Sequence, residues 1–265
     1  VKLTEGNTNV KKRAFIALLM LISLLLGACR STVAVMADPS DGAGRGTPSE
    51  RDPEVTTETA EPDDGIPTIC IDPGHGFDDV GAWSEYIGEL HEKDINLEVA
   101  LLLRRELEAR GLHVVLTHDG ESFPKADNDD GNNLFRPQER IAYARTLKID
   151  YYFSIHSDSY DGDSSVGGTR IYYSAGTAHT GESSRAAEKI RDAINAALPD
   201  SKKTVAREMS FDDAYYVIRE APVPSALIEV GFVTNSTDAR NMLDAAWRAA
   251  VAAAVADGIA AYFGA

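Results

Sequence analysis

Residues Thr68 to Gly76 read TICIDPGHG. Ile69, Cys70 and Ile71 form an apolar run of the length of a short buried strand, and Asp72-Pro73-Gly74 ends it. Proline has no amide to donate to a ladder, and glycine allows a sharp turn. His75 follows at once, between two glycines. Taken alone, the stretch admits a polar turn, a phosphate-cradling loop, or a metal site at a strand end. The phosphate reading is weak, because the loop has neither the lysine and frame of a P-loop nor a GxGxxG pattern.

Working outward, strands and helices alternate. Residues 92–110 form an amphipathic helix with Ile95, Val99, Leu102, Leu103 and Leu107 on one face and Gly111 as its stop. LHVVLT, residues 112–117, is a second strand. Residues 120–134 are a polar loop whose carboxylates miss the spacing of a calcium loop. Residues 136–147 read as helix, YYFSIH (151–156) and GTRIYY (168–173) as strands, and 183–197 as helix ended by Pro199. A short strand is expected at 215–218 and a buried one at SALIEV, 225–230. One alanine-rich helix is expected over 238–263. The pattern predicts an α/β fold: a single domain over 66–265, with a mostly parallel central sheet of about five to six strands and helices on both faces.

In such sheets ligands collect beyond the carboxyl ends of strands. There the chain offers Asp72 and His75, then His156-Ser157-Asp158, then Glu229 inside the apolar run SALIEVGF. A carboxylate in that run needs a partner or a raised pKa. The helix at 92 opens with His91-Glu92-Lys93-Asp94. Two histidines and a carboxylate can hold a catalytic zinc with one position open. His75, Glu92 and His156 would be the ligands, leaving Glu229 to act on water. The intervals of 17, 64 and 73 residues are too long to make a local motif, so the grouping stays one option. His91 competes with Glu92 as a ligand, and Glu92 alone could simply favour the helix dipole. A Ser157/His156/Asp72 triad fails, because no GxSxG elbow exists and neighbouring strand residues face opposite ways. His113, His118 and His179 read as solvated.

The first 65 residues differ in kind. Lys11-Lys12-Arg13 precedes an apolar run, Ala14 to Ala28, which suits a secretory signal and is short for a bilayer span. Leu26-Gly27-Ala28-Cys29 resembles the lipobox of bacterial lipoproteins, whose cysteine is lipidated. Residues 1–28 are therefore expected to be a signal peptide, and 29–65 a lipidated Cys29 with a disordered acidic tether. Between Asp38 and Asp64 stand nine acids and two arginines, nearly half of the formal charge of −16. Such a segment cannot bury enough surface to offset its ordering entropy. The acidity argues against nucleic acid as a partner. With Cys29 lipidated, Cys70 has no disulfide partner.

Four blocks carry a resemblance: IDPGHGFDDVGA (71–82), EKDINLEVALLLRRELEARGLHVVLT (92–117), RPQERIAYARTLKIDYYFSIHSDS (136–159) and PSALIEVGFVTNSTDARNML (224–243). In this order they are similar to the zinc-dependent N-acetylmuramoyl-L-alanine amidases of the Amidase_3 type. The resemblance implies one catalytic Zn²⁺ on His75, Glu92 and His156, with Glu229 as the catalytic glutamate. It implies hydrolysis of the amide joining N-acetylmuramic acid to L-alanine in peptidoglycan. Asp72 reads as a residue that supports a ligand from behind, or as a strand-end cap, and not as a ligand itself. The expected protein is a monomer, extracytoplasmic and anchored to the membrane through Cys29. Two positions depart from the family pattern, His118 after Thr117 and Ser157-Asp158 after His156. Both are expected on the cleft rim.

Overall fold

A computed structural model of the chain describes residues 64–124, 132–198 and 204–265. The expected signal peptide, Cys29 and almost all of the tether lie outside the described residues, as do Pro199 and part of the 120–134 loop. The described residues fall within one compact unit, Thr59–Ala265. The strands are β1 (Thr68–Pro73), β2 (His113–Leu116), β3 (Tyr151–Asp158), β4 (Arg170–Ser174), β5 (Val205–Met209) and β6 (Ser225–Phe232). The helices are α1 (Glu92–Ala109), α2 (Pro137–Ala144), α3 (Thr180–Ala197), α4 (Tyr216–Arg219), α5 (Ser236–Leu243) and α6 (Ala245–Phe263). A 3-10 turn spans Glu85–Ile87.

The strands form one sheet in the order β2-β1-β3-β6-β4-β5. The first four are parallel, β4 is antiparallel to β6, and β5 is parallel to β4. The chain leaves β1 for β2 on one side and returns as β3 on the other. The carboxyl ends of β1 and β3 therefore flank a crevice, where open α/β sheets bind ligands.

The two faces are unequal. On one, Ile69, Ile71, Tyr151, Phe153, Ala226 and Ile228 meet the long helices α1, α3 and α6. Ile95, Val99, Leu103 and Leu107 of α1 are each at most 1% exposed, and each contributes about 2 kcal/mol by burial. Helices α3 and α6 cross closely at Gly258, where a Cβ would lie 2.4 Å from Ile190 Cα. The other face carries Cys70, Tyr152, Tyr172 and Leu227 beneath the short α2 and α4. Strand alternation puts Asp72, Ser154, His156 and Glu229 on this second face too. Cys70 is buried and free.

Three local expectations change. The expected strand at 215–218 is instead the helix Tyr216–Arg219 with Tyr215 at its N-cap: Arg219 N bonds Tyr215 O and Glu220 N bonds Tyr216 O. Val217 and Ile218 are buried against the face of the sheet, not within its ladder. The edge is taken by β5, whose charged VAREM sequence concealed it, as edge strands often do. The alanine-rich segment is two helices. Asp244 is extended, and its Oδ1 accepts from Ala246 N at 2.9 Å, capping α6. Among the described residues no helix is long and apolar enough to cross a membrane.

Candidate metal centre

The loop after β1 is held from several sides. Gly74 N donates to Ile155 O at 2.8 Å, and Asn96 Nδ2 of α1 donates to Gly74 O at 3.2 Å. Lys93 Nζ donates to Phe77 O at 2.6 Å. Arg140 of α2 bonds Pro73 O at 2.6 Å and Phe135 O at 2.8 Å, and also reaches His75 O. So held, the backbone accepts positive φ at two non-glycine residues, His75 (62°) and Phe77 (58°). Such conformations persist where the surroundings over-determine them, most often at functional sites. Gly74 is required for space, because a Cβ there would sit 2.4 Å from the His156 ring.

The loop, the start of α1 and the end of β3 bring His75, Glu92 and His156 together, with one donor atom from each within 4.8 Å of the others. His75 Nε2 lies 3.3 Å from Glu92 Oε2, and His156 Nδ1 lies 3.0 Å from Glu92 Oε1. Zinc bonds of about 2.0–2.2 Å set tetrahedral donors roughly 3–3.5 Å apart, so the set fits such an ion. Glu92 is fixed by amides: Ala82 N donates to Oε2 at 2.8 Å and Ser157 N to Oε1 at 3.1 Å. Asp79 Oδ2 accepts a hydrogen bond from His75 Nδ1–H at 2.9 Å, which turns Nε2 toward the cluster as the donor atom. Burial pushes the Glu92 carboxyl up, but His156 and His75 hold it well below the carboxylate range. Burial would lower His75, and Glu92 and then Asp79 lift it above its ordinary value.

Glu229 on β6 stands level with His156 on β3. It is 4% exposed, and its Oε2 has no hydrogen-bond partner among the described residues. Burial first, then the charges of Asp158 and Glu92, raise its pKa well above the ordinary value. His75, Glu92, His156, Asp158, Tyr215 and Glu229 line a common cleft of 290 Å³. The Tyr215 hydroxyl is pushed up by burial and by the charge of Glu229.

The other candidates separate cleanly. Asp72 accepts from Thr117 Oγ1 at 2.6 Å, Arg140 Nη1 at 2.7 Å and Ser154 Oγ at 2.7 Å. It bonds none of the three candidate ligands, and it is paired with Arg140, which holds the loop. Burial pushes Asp72 up, yet Arg140 and the two hydroxyls bring it to about 2. Ser157 faces α1, bonding Asn96 Oδ1 at 2.9 Å, so no triad forms. His91 is not part of the cluster, and its Nδ1 lies 3.7 Å from Asp94 Oδ2. His113 and His179 are partly exposed, whereas His118 is buried with Nε2 2.8 Å from Pro73 O. It belongs to the loop's support and not to the rim, because the carbonyl freed at Pro73 needs partners. Asp158 does line the cleft. Arg140, Asp79 and Asn96 went unread in the sequence, where an arginine or asparagine on a helix looks like solvated surface.

The family described as N-acetylmuramoyl-L-alanine amidase, Amidase_3, matches residues 69–261. The N-acetylmuramoyl-L-alanine amidase LytC of Bacillus subtilis is 34% identical over 197 residues, 74% of this chain and 35% of LytC. The uncharacterised YqiI of the same organism is 33% identical over 207 residues, 78% of this chain and 89% of YqiI. Among solved structures, the N-acetylmuramoyl-L-alanine amidase AmiC2 of Nostoc punctiforme superimposes with a TM-score of 0.63 at 29% identity. That alignment covers 75% of this chain and 98% of AmiC2.

Proposed function

This chain belongs to the N-acetylmuramoyl-L-alanine amidase family, and from that premise we propose that it hydrolyses the amide between N-acetylmuramic acid and L-alanine in peptidoglycan. One observation carries the reading. A two-histidine, one-carboxylate donor set shares a cleft with a buried carboxylate that has no partner of its own. His75, Glu92 and His156 would hold one zinc ion. When bound, zinc supplies a Lewis acid that polarises the scissile carbonyl and makes water acidic near neutral pH.

Glu229 does the proton work. Its carboxylate takes a proton from the attacking water, whose oxygen bonds to the carbonyl carbon. The C–N bond then breaks, and Glu229 returns the proton to the leaving nitrogen of L-alanine. An environment that favours the neutral carboxyl suits a group that must hold a proton between the two steps. Asp79 orients His75, and the amides of Ala82 and Ser157 orient Glu92, so the ligands are set before an ion arrives.

The test is chelation followed by zinc replacement, with muropeptide products identified by mass spectrometry. Activity should vanish and return, and the released peptides should begin with a free L-alanine amine. Products with the lactyl–alanine bond intact would overturn the reading.

Residues 11–29 support an extracytoplasmic, membrane-anchored protein lipidated at Cys29, and we propose that it acts as a monomer. Cys29→Ala should release it from membranes, and retention of the variant there would contradict the anchor. Light scattering of the catalytic unit should give the mass of one chain.

A further inference from the structure

A second pocket, of 280 Å³, has Tyr172, Arg207, Met209 and Tyr215 in its lining. Tyr215 also lines the cleft of the metal centre, so the two spaces share a wall. Its ring lies 5.7 Å from that of Tyr172. Leu227, Tyr172 and Arg207 sit in one row across β6, β4 and β5 and share a face of the sheet. Two strand spacings sideways and two residues along β6 put the Cα atoms of Arg207 and Glu229 about 12 Å apart. Arg207 is exposed on the edge strand β5, with its side chain at the mouth of the pocket. Arg207 has no hydrogen-bond or ion-pair partner among the described residues. Of the acids lining the pocket, Asp213 accepts from Ser210 Oγ at 2.6 Å. Glu208, next on the strand, starts from the opposite face.

We propose that Arg207 receives the free carboxylate of the peptide residue that follows L-alanine, and so sets substrate specificity. This rests on the amidase reading above. The scissile amide lies between sugar and peptide, so the peptide must run away from Glu229. Two residues of extended chain span about 7 Å, and the arginine side chain reaches across the remainder. A guanidinium matches a carboxylate with two parallel hydrogen bonds, a match that a carboxamide cannot offer.

The experiment gives the zinc-loaded enzyme two muramyl peptides that differ only at that residue, carboxylate against carboxamide. The unaltered enzyme should favour the carboxylate by about 10-fold in kcat/KM, carried by KM. Arg207→Gln should bring the ratio close to one, and Arg207→Lys should keep part of it. A ratio near one in the unaltered enzyme, or one that survives Arg207→Gln, overturns the proposal. A second arm needs no hydrolysis: calorimetry of the free carboxylate peptide should show about 10-fold weaker binding to Arg207→Gln. Equal affinity there also overturns it. If the unaltered enzyme cleaves neither substrate, the amidase reading fails, and the calorimetry alone decides the role of Arg207.

Discussion

Asp72 and Glu229 are both buried carboxylates on the thinly covered face of the sheet, at 0% and 4% exposure. Their surroundings are opposite. Asp72 takes hydrogen bonds from Arg140, Thr117 and Ser154 and remains charged, and the arginine it anchors holds the loop that presents His75. Glu229 has an oxygen without a partner and acids for neighbours. Burial does not distinguish a structural carboxylate from a chemical one; the partners do.

The largest effect should come from removing the chemistry and keeping the shape. Glu229→Gln is expected to lower turnover by about 10³-fold. Its thermal midpoint should hold or rise, because a buried group with no partner for its charge becomes neutral. A variant that loses activity only because it unfolds would erase the distinction drawn here.

Asp72→Ala should behave in reverse, destabilising by about 3–5 kcal/mol in urea unfolding, because Arg140 is left as an unpaired buried cation. An unchanged urea midpoint would show that the pair anchors nothing. Asp79→Ala probes the ligand set more gently. Zinc affinity measured against a chromophoric chelator should weaken by about 10–100-fold, since His75 loses the acceptor that fixes its ring.

The smallest effects are slopes with pH, and the two acids give opposite signs. Asp72 is held to about 2 against an ordinary 3.8, which is worth about 2 kcal/mol. That stability is complete above pH about 4 and is lost as the pH falls toward 2. Glu229 in the metal-free protein has a folded value above 4.5. The unfolded chain gives up this proton first, so stability declines as the pH rises from 4.5 until the folded carboxyl ionises. Subtracting the Glu229→Gln unfolding profile from that of the unaltered protein isolates the second slope; a rising difference would reverse the sign argued here.

Much of this was legible in residue order. The strand-end rule gathers His75, His156 and Glu229 before any coordinates, and the place of Glu92 in the first turn of α1 sets it beside them. Less legible were the residues whose meaning depends on topology. Arg140 reads as a helix-surface cation until α2 is laid over β1 and its guanidinium meets Asp72, 68 positions away. His118 reads as exposed because the sequence does not show that Pro73 O needs a donor. Strand β5 was hidden by its charges, and the helix at Tyr216–Arg219 by two β-branched core residues, Val217 and Ile218, which favour strands.

The most direct test compares zinc-loaded unaltered protein with zinc-loaded Glu229→Gln on the same purified peptidoglycan, counting new L-alanine amino termini. The account predicts equal zinc content, with termini accumulating only in the first. Equal zinc and comparable release from both would contradict it, because the proton carrier would then lie elsewhere.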